Sequence, residues 1–233
     1  MTATFTQRID VLIRSPHVLV ERIRRGDQID DLPLQLSAIA LTGFATFGFL
    51  LGLTHSPLWG ALAATKLMVV ALGSVAVCLP ALHVYGRLLG NAATLRQQVC
   101  EALVALAVTG LTLIALCPVW LVFTYQVNEP PEGYFRVMLG AVAFLGIAGA
   151  RGVWALLRAL RVQGRPVMHL AAWMAIYGMV GIQAAWTLRP FVGNPESRDE
   201  FVLVRPLEDT AFDATATLIR SNIRPRVPCE REY

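Results

Sequence analysis

The chain has 233 residues, of which 55% are hydrophobic and only 15% are charged, and its mean hydropathy is +0.55. Soluble domains carry about 25% charged residues, so this composition excludes an ordinary water-soluble protein and indicates an integral membrane protein. The net charge of +4 does not indicate nucleic-acid binding, because the basic residues form no cluster interleaved with aromatic residues. The lipid bilayer is therefore the expected surrounding of this chain.

The N-terminal segment, residues 1–32, predicts two short amphipathic helices at the membrane interface, on the cytoplasmic side. Apolar residues of the first helix recur on one helical face, at Phe5, Ile9, Leu12 and Ile13. Ser15 and Pro16 are typical of the start of a second helix, and Gly26 is typical of its end. Arginines beside this apolar face suit anionic headgroups. The alternative is that both helices simply dock on the rest of the protein.

Five apolar stretches follow, over residues 33–54, 57–85, 99–125, 134–157 and 167–188. A helix of about 20 apolar residues crosses a hydrocarbon core of about 30 Å, and each stretch reaches that length. The sequence therefore predicts an all-α fold in which residues 33–188 form a bundle of five transmembrane helices. Pro80 and Pro118 lie inside the second and third stretches, where proline often bends a helix to fit its neighbours.

Small residues at a spacing of three or four predict close approaches between these helices. The candidate helix-packing residues are Gly48, Gly52, Gly146, Gly149, Gly152 and Gly181. Packing within one chain is the simplest interpretation, and a face for homo-oligomers is the alternative. Aromatic residues near the predicted outer ends suggest an interfacial belt, formed by Trp59, Trp120, Trp186 and Tyr134.

Arginines alternate between the connecting segments and thereby predict the topology. The N-terminal segment and the second and fourth connections contain arginines, whereas the first and third connections contain no lysine or arginine. The positive-inside rule then places the N-terminus in the cytoplasm and the tail, residues 189–233, on the extracytoplasmic side. Thr94 and Gln97 form a capping-box pattern just before the third stretch.

Ionisable residues inside apolar stretches are costly and are candidates for function by default. The four candidates here are Lys66, Glu101, Arg151 and His169. In the predicted topology the last three lie at a similar depth on the cytoplasmic side, where they would form one polar cluster; the alternative is that each lies separately at the interface. Lys66 lies deeper and requires a partner or water. Arg189, directly after the fifth stretch, is expected to anchor the tail.

Signatures of catalysis, cofactor binding and metal binding are absent from the sequence. It contains no HExxH, GxSxG, Walker or GxGxxG motif. The four cysteines have no CxxC spacing, and no histidine has metal-ligand spacing with another histidine or a cysteine. We therefore expect no catalytic, cofactor-binding or metal-binding residues.

Several short motifs in the apolar stretches resemble those of bacterial polytopic proteins related to the Yip1 family. They are Lys66, Leu79-Pro80, Leu88-Leu-Gly90, Thr94-Leu-Arg-Gln-Gln98, Ala115-Leu-Cys-Pro118, Ala148-Gly-Ala-Arg-Gly152 and Trp186-Thr-Leu-Arg-Pro-Phe-Val-Gly193. The resemblance covers about residues 16–205. It implies a five-helix bundle, and in eukaryotic members it implies membrane-trafficking partners such as small GTPases. The cytoplasmic N-terminal region that those members use for partners is very short here.

The sequence as a whole favours a non-enzymatic scaffold or accessory subunit of a complex in the bacterial inner membrane. Its expected partners are lipids and other membrane proteins, or further copies of itself. The alternative is a small channel or transporter subunit, in which Lys66 and the cluster of Glu101, Arg151 and His169 line a path. An intramembrane enzyme is the third interpretation, and it is the weakest because it would need paired acids within the spans.

Overall fold

The structure, a computed structural model, describes residues 5–26, 31–53, 56–88, 93–127, 133–162, 174 and 176–180. This part of the chain is helical and contains no strand, which confirms the predicted all-α fold for these residues. The helices are α1 (Phe5–Arg14), α2 (Pro16–Arg25), α3 (Leu32–Leu53), α4 (Pro57–Leu88), α5 (Leu95–Val127) and α6 (Gly133–Val162).

Four of these helices are long and apolar enough to cross a membrane. The candidate spans are Leu32–Leu53, Pro57–Leu88, Leu95–Gln126 and Leu139–Ala159, and they correspond to the first four predicted stretches. The fifth stretch, 167–188, lies mostly outside the described residues, where only 174 and 176–180 are defined, as helix. The tail from 189 to 233 also lies outside them.

The helices pack in an order that differs from their order in the chain. α3 packs along both α4 and α5, and α5 also packs along α6. Successive spans run in opposite directions, so the end of α4, the start of α5 and the end of α6 lie at one end of the bundle. α2 packs against α5 and α6 at this end, and α1 packs against α2 and α5. We call it the junction end.

The two N-terminal helices bury apolar side chains against the bundle, as the docking alternative predicts. Leu12 of α1 is buried, and so are Leu19, Val20 and Ile23 of α2. Gly26 ends α2 in a left-handed conformation (φ 83°), and its N–H donates to the carbonyls of Arg22 and Ile23. This confirms the predicted helix stop, because only a residue without a Cβ adopts this conformation freely.

Three of the predicted packing glycines lie at helix crossings. A Cβ at Gly48 would be 2.7 Å from the Cα of Ala64 in α4, and one at Gly52 would overlap the backbone of Trp59. A Cβ at Gly152 of α6 would overlap Ala105 and Thr109 of α5. Adding a methyl group at these positions therefore requires the helices to separate.

Gly146 and Gly149 make no close helix contact within the described part of the chain, so their predicted packing role stays a prediction. No described atom lies within 4 Å of a Cβ built at either position, because α6 turns its other face, with Ala148 and Gly152, toward α5. Gly181 lies outside the described residues. Another close crossing joins two glycines that the spacing rule did not select: a Cβ on Gly43 of α3 would overlap the backbone of Gly110 in α5.

An aromatic cluster joins α3, α5 and α6 toward the other end of the bundle. The ring of Trp120 lies 5.3 Å from Phe47, 5.7 Å from Phe123 and 5.4 Å from Phe144, measured between centroids. Trp120 is completely buried, so its predicted place in an interfacial belt is wrong. Its position inside the helix places the indole between three spans, where stacking and edge contacts stabilise the packing.

Candidate functional site

Arg24 of α2 and Glu101 of α5 form a buried ion pair at the junction end. Nη2 of Arg24 donates a hydrogen bond of 2.9 Å to Oε2 of Glu101, and Nε of Arg24 lies against Oε1. Their side chains are only 10% and 9% exposed, so both charges have lost most of their water. The hydrogen bond from Nη2 to Oε2 is charge-assisted, and Nε adds a close ionic contact with Oε1. The pair neutralises the acid buried in α5.

Helix periodicity explains why Arg24, among the three arginines in the last turn of α2, makes this contact. Arg22, Arg24 and Arg25 all lie in that turn. Arg24 follows the buried Val20 at i+4 and therefore shares its face, whereas Arg22 and Arg25 point away and are exposed. The face that docks α2 by apolar contacts thus also carries its buried charge.

Gln97 connects the end of α2 to the start of α5. Its Oε1 accepts a hydrogen bond of 2.9 Å from the N–H of Thr94, and its own N–H donates to Thr94 Oγ1 at 3.3 Å, so the predicted capping box is confirmed. The same side chain donates from Nε2 to the carbonyls of Arg24, at 3.1 Å, and Ile23, at 3.4 Å. One amide therefore satisfies backbone groups at two helix termini.

His83 and Gln98 extend these polar contacts to α4. Nδ1 of His83 lies 3.0 Å from Oε1 of Gln98, and Gln98 is almost completely buried. The Nε2 of Gln98 has no hydrogen-bond partner among the described residues. We call Arg24, His83, Gln97, Gln98 and Glu101 together the polar junction; it joins α2, α4 and α5.

Of the predicted cluster of Glu101, Arg151 and His169, the structure describes Glu101 and Arg151, and no ion pair joins these two. Glu101 is buried as expected for a residue within a span, but its partner is Arg24. Arg151 is exposed on α6, because the face that α6 turns to α5 is formed by small residues. His169 lies outside the described residues, as does Arg189.

Lys66, the deepest predicted candidate, lies in α4 and is half-buried. Lys66 takes part in an interaction within the protein. The expectation that its ammonium group is paired or hydrated stays a prediction. It gives Lys66 a structural contact without assigning it a functional one.

Sequence reasoning missed Arg24 because it treated residues 1–32 as a surface segment and searched for charges only within the spans. A usable signal was present. Arg24 follows the apolar Val20 at i+4, and a charge on a docked apolar face requires a buried partner. The sequence did not identify that partner as Glu101, which lies 77 residues further along the chain.

The chemistry available to the polar junction is charge neutralisation and helix capping. Among the described residues no group of three or more His, Cys, Asp or Glu side chains is arranged to hold a metal ion. Cys78, Cys100 and Cys117 are buried free thiols. The residues that converge therefore attach the N-terminal helices to the bundle.

Comparison of the chain with protein-family models, curated proteins and solved structures found no match.

Proposed function

We propose that this protein is a non-enzymatic scaffold or accessory subunit of a complex in the bacterial inner membrane. The polar junction supports this proposal best. Glu101, the acid within a span, is neutralised by Arg24, and Arg151 lies on a different surface. Charges that line a transport path need access to water, whereas this pair is almost dry. The described bundle has the properties of a packed structural unit.

The proposed architecture has five spans, with the N-terminus in the cytoplasm and the tail outside. Arginines at the ends of α4 and α6 and in α2 lie at the junction end, which fits a cytoplasmic position under the positive-inside rule. In this proposal α1 and α2 lie at the cytoplasmic interface as well as against the bundle. The Yip1-like motifs support the same bundle and a role in binding membrane proteins.

Labelling from outside intact cells tests this topology. Cys229 should react with a membrane-impermeant maleimide, and a cysteine introduced by Gln163→Cys should not. Cys78, Cys100 and Cys117 are buried, so they contribute little background. Labelling at position 163 with protection of Cys229 would contradict the proposed orientation.

Native mass measurement after gentle extraction from the membrane tests the scaffold role. We expect the chain in a complex of fixed stoichiometry, with copies of itself or with other membrane proteins. The purified chain in sealed vesicles should leave ion gradients as stable as empty vesicles do. Flux that Lys66→Met abolishes while the bundle stays folded would contradict the proposal and favour a transporter.

A further inference from the structure

The outward face of α6 combines a shallow apolar strip with a row of arginines. Exposed residues at helical spacing define it, and we call this set the α6 outer face: Ala143, Gly146, Ile147, Ala150, Arg151, Trp154, Arg158 and Arg161. Its first half consists of small and aliphatic side chains. Its second half, toward the junction end, carries three arginines around Trp154, whose side chain is 57% exposed.

Arg151 lies well inside the candidate span that ends at Ala159. At a rise of 1.5 Å per residue it is about 12 Å from that end. Side chains on a helix lean toward its N-terminus, so the side chain of Arg151 starts toward the middle of the span. A charge at this depth on a lipid-facing surface requires a counter-charge.

The described residues contain few carboxylates that could supply this counter-charge. They are Asp10, Glu21, Asp31 and Glu101. Three of these pair with arginines of α1 and α2, namely Arg14, Arg25 and Arg24. None of the ion pairs among the described residues involves Arg151, Arg158 or Arg161. Within the described part of the chain, the α6 outer face therefore carries a net positive charge.

We propose that the α6 outer face binds an anionic phospholipid. Arg151 and Arg158 receive the headgroup phosphate from either side; they share a face two turns apart, about 10.5 Å along the axis. Guanidinium groups bind phosphate oxygens in pairs, which favours arginine over lysine for this task. Trp154 lies between them and is exposed, so its indole can pack against the part of the lipid next to the headgroup.

The apolar half of the face accommodates the acyl chain of the same lipid. Ala143, Gly146 and Ala150 leave a shallow strip, and nothing among the described residues lies within 4 Å of a Cβ built at Gly146. An acyl chain in this strip keeps its phosphate next to Arg151. The proposal does not depend on the scaffold role, because it concerns only the lipid-facing side of α6.

Native mass spectrometry with two added lipids of identical acyl chains tests the site. The purified full chain is titrated with phosphatidylglycerol and, separately, with phosphatidylcholine. Both lipids carry a phosphate, but only phosphatidylglycerol has a net negative charge, because choline cancels the charge of the phosphate in the other lipid. We therefore expect the first bound lipid to favour phosphatidylglycerol by about tenfold or more, the scale of one charged contact. The double variant Arg151→Gln/Arg158→Gln should lose this preference.

Arg87→Gln is the matched control, since Arg87 is an exposed arginine at the same end of the bundle but on α4. It should retain the preference. If the double variant does not fold, Arg151→Lys keeps the charge without the guanidinium fork and should weaken the preference severalfold.

Three results would overturn the proposal. Equal binding of both lipids by the wild type would remove the charge argument. If Arg87→Gln lost the preference for phosphatidylglycerol to the same extent, that preference would come from the general surface charge and not from a site on α6. A membrane protein could co-purify with the wild type in place of the lipid. If Arg151→Gln lost this protein, the α6 outer face would bind a carboxylate of that protein.

Discussion

α5 makes two contacts of opposite physical kind. Where it crosses α3 at Gly43 and Gly110, the two helices pack backbone against backbone. Against α2 it is held by the long charged side chains of Arg24 and Glu101. The first contact depends on the lack of a Cβ on the two glycines, and the second depends on the opposite charges of the two side chains.

This difference follows from the surroundings of each contact. Between spans there is little hydrophobic driving force, because lipid is as apolar as the helix surface, so association depends on close packing. At the junction end backbone groups of helix termini and a carboxylate need partners, and polar side chains such as Gln97 supply them. Substitutions should therefore act in opposite ways at the two contacts.

The largest effect is expected at the ion pair. Glu101→Ala leaves the guanidinium of Arg24 buried without its counter-charge, which should lower the free energy of unfolding by about 3–5 kcal/mol. The double variant Arg24→Met/Glu101→Leu removes both charges and should recover most of this loss, because apolar side chains of similar volume often replace a buried pair. Reversible unfolding in mixed micelles measures both variants. A double variant as unstable as the single one would show that the charges themselves are required.

The next effect concerns the glycine crossing. Gly43→Ala places a methyl group into the backbone of Gly110 and should lower the free energy of unfolding by about 1–3 kcal/mol, the usual cost of overpacking. Gly149→Ala is the control, because Gly149 also lies in a candidate membrane span but no described atom lies within 4 Å of the new Cβ. It should be neutral or stabilising, by up to about 1 kcal/mol, since alanine favours helix more than glycine does. Equal losses in both variants would contradict a packing role for Gly43.

The spans could be predicted from the sequence because their signal is local. A run of about 20 apolar residues forms a helix in a bilayer, because a helix satisfies the backbone polar groups within the segment. Four of the predicted stretches coincide with candidate spans. The Thr94–Gln97 capping box and the stop at Gly26 were likewise predictable from short motifs.

Long-range partners could not be predicted in the same way. The Gly43–Gly110 crossing joins residues far apart in sequence, and neither glycine has a glycine four positions away on its own helix. Trp120 was misplaced because its distance from a helix end does not reveal which face meets Phe47 and Phe144. Glu101 was correctly selected as a costly buried charge, but its depth alone did not identify Arg24 as its partner.

A smaller effect is expected from Gln97. Gln97→Ala removes the reciprocal bond to Thr94 and the bonds to the carbonyls of Ile23 and Arg24, and should lower the free energy of unfolding by about 1 kcal/mol. Proteolysis within α1 and α2 should increase in parallel, because the end of α2 loses a cap. Thr94→Ala removes only the capping of α5 and should leave that proteolysis unchanged. Equal proteolysis in both variants would exclude the proposed link to α2.

The smallest effect tests whether burial, rather than charge alone, makes the Arg24–Glu101 pair important. Arg14 donates a hydrogen bond of 2.7 Å to Asp10 one turn earlier in α1, but the two side chains are 78% and 61% exposed. Water screens such a pair, so Arg14→Gln should change the free energy of unfolding by no more than about 0.5 kcal/mol. Raising the salt concentration should reduce this difference further, whereas the effect of Glu101→Ala should persist, because a buried pair is screened far less. A loss for Arg14→Gln that approached the loss for Glu101→Ala would contradict the role given to burial.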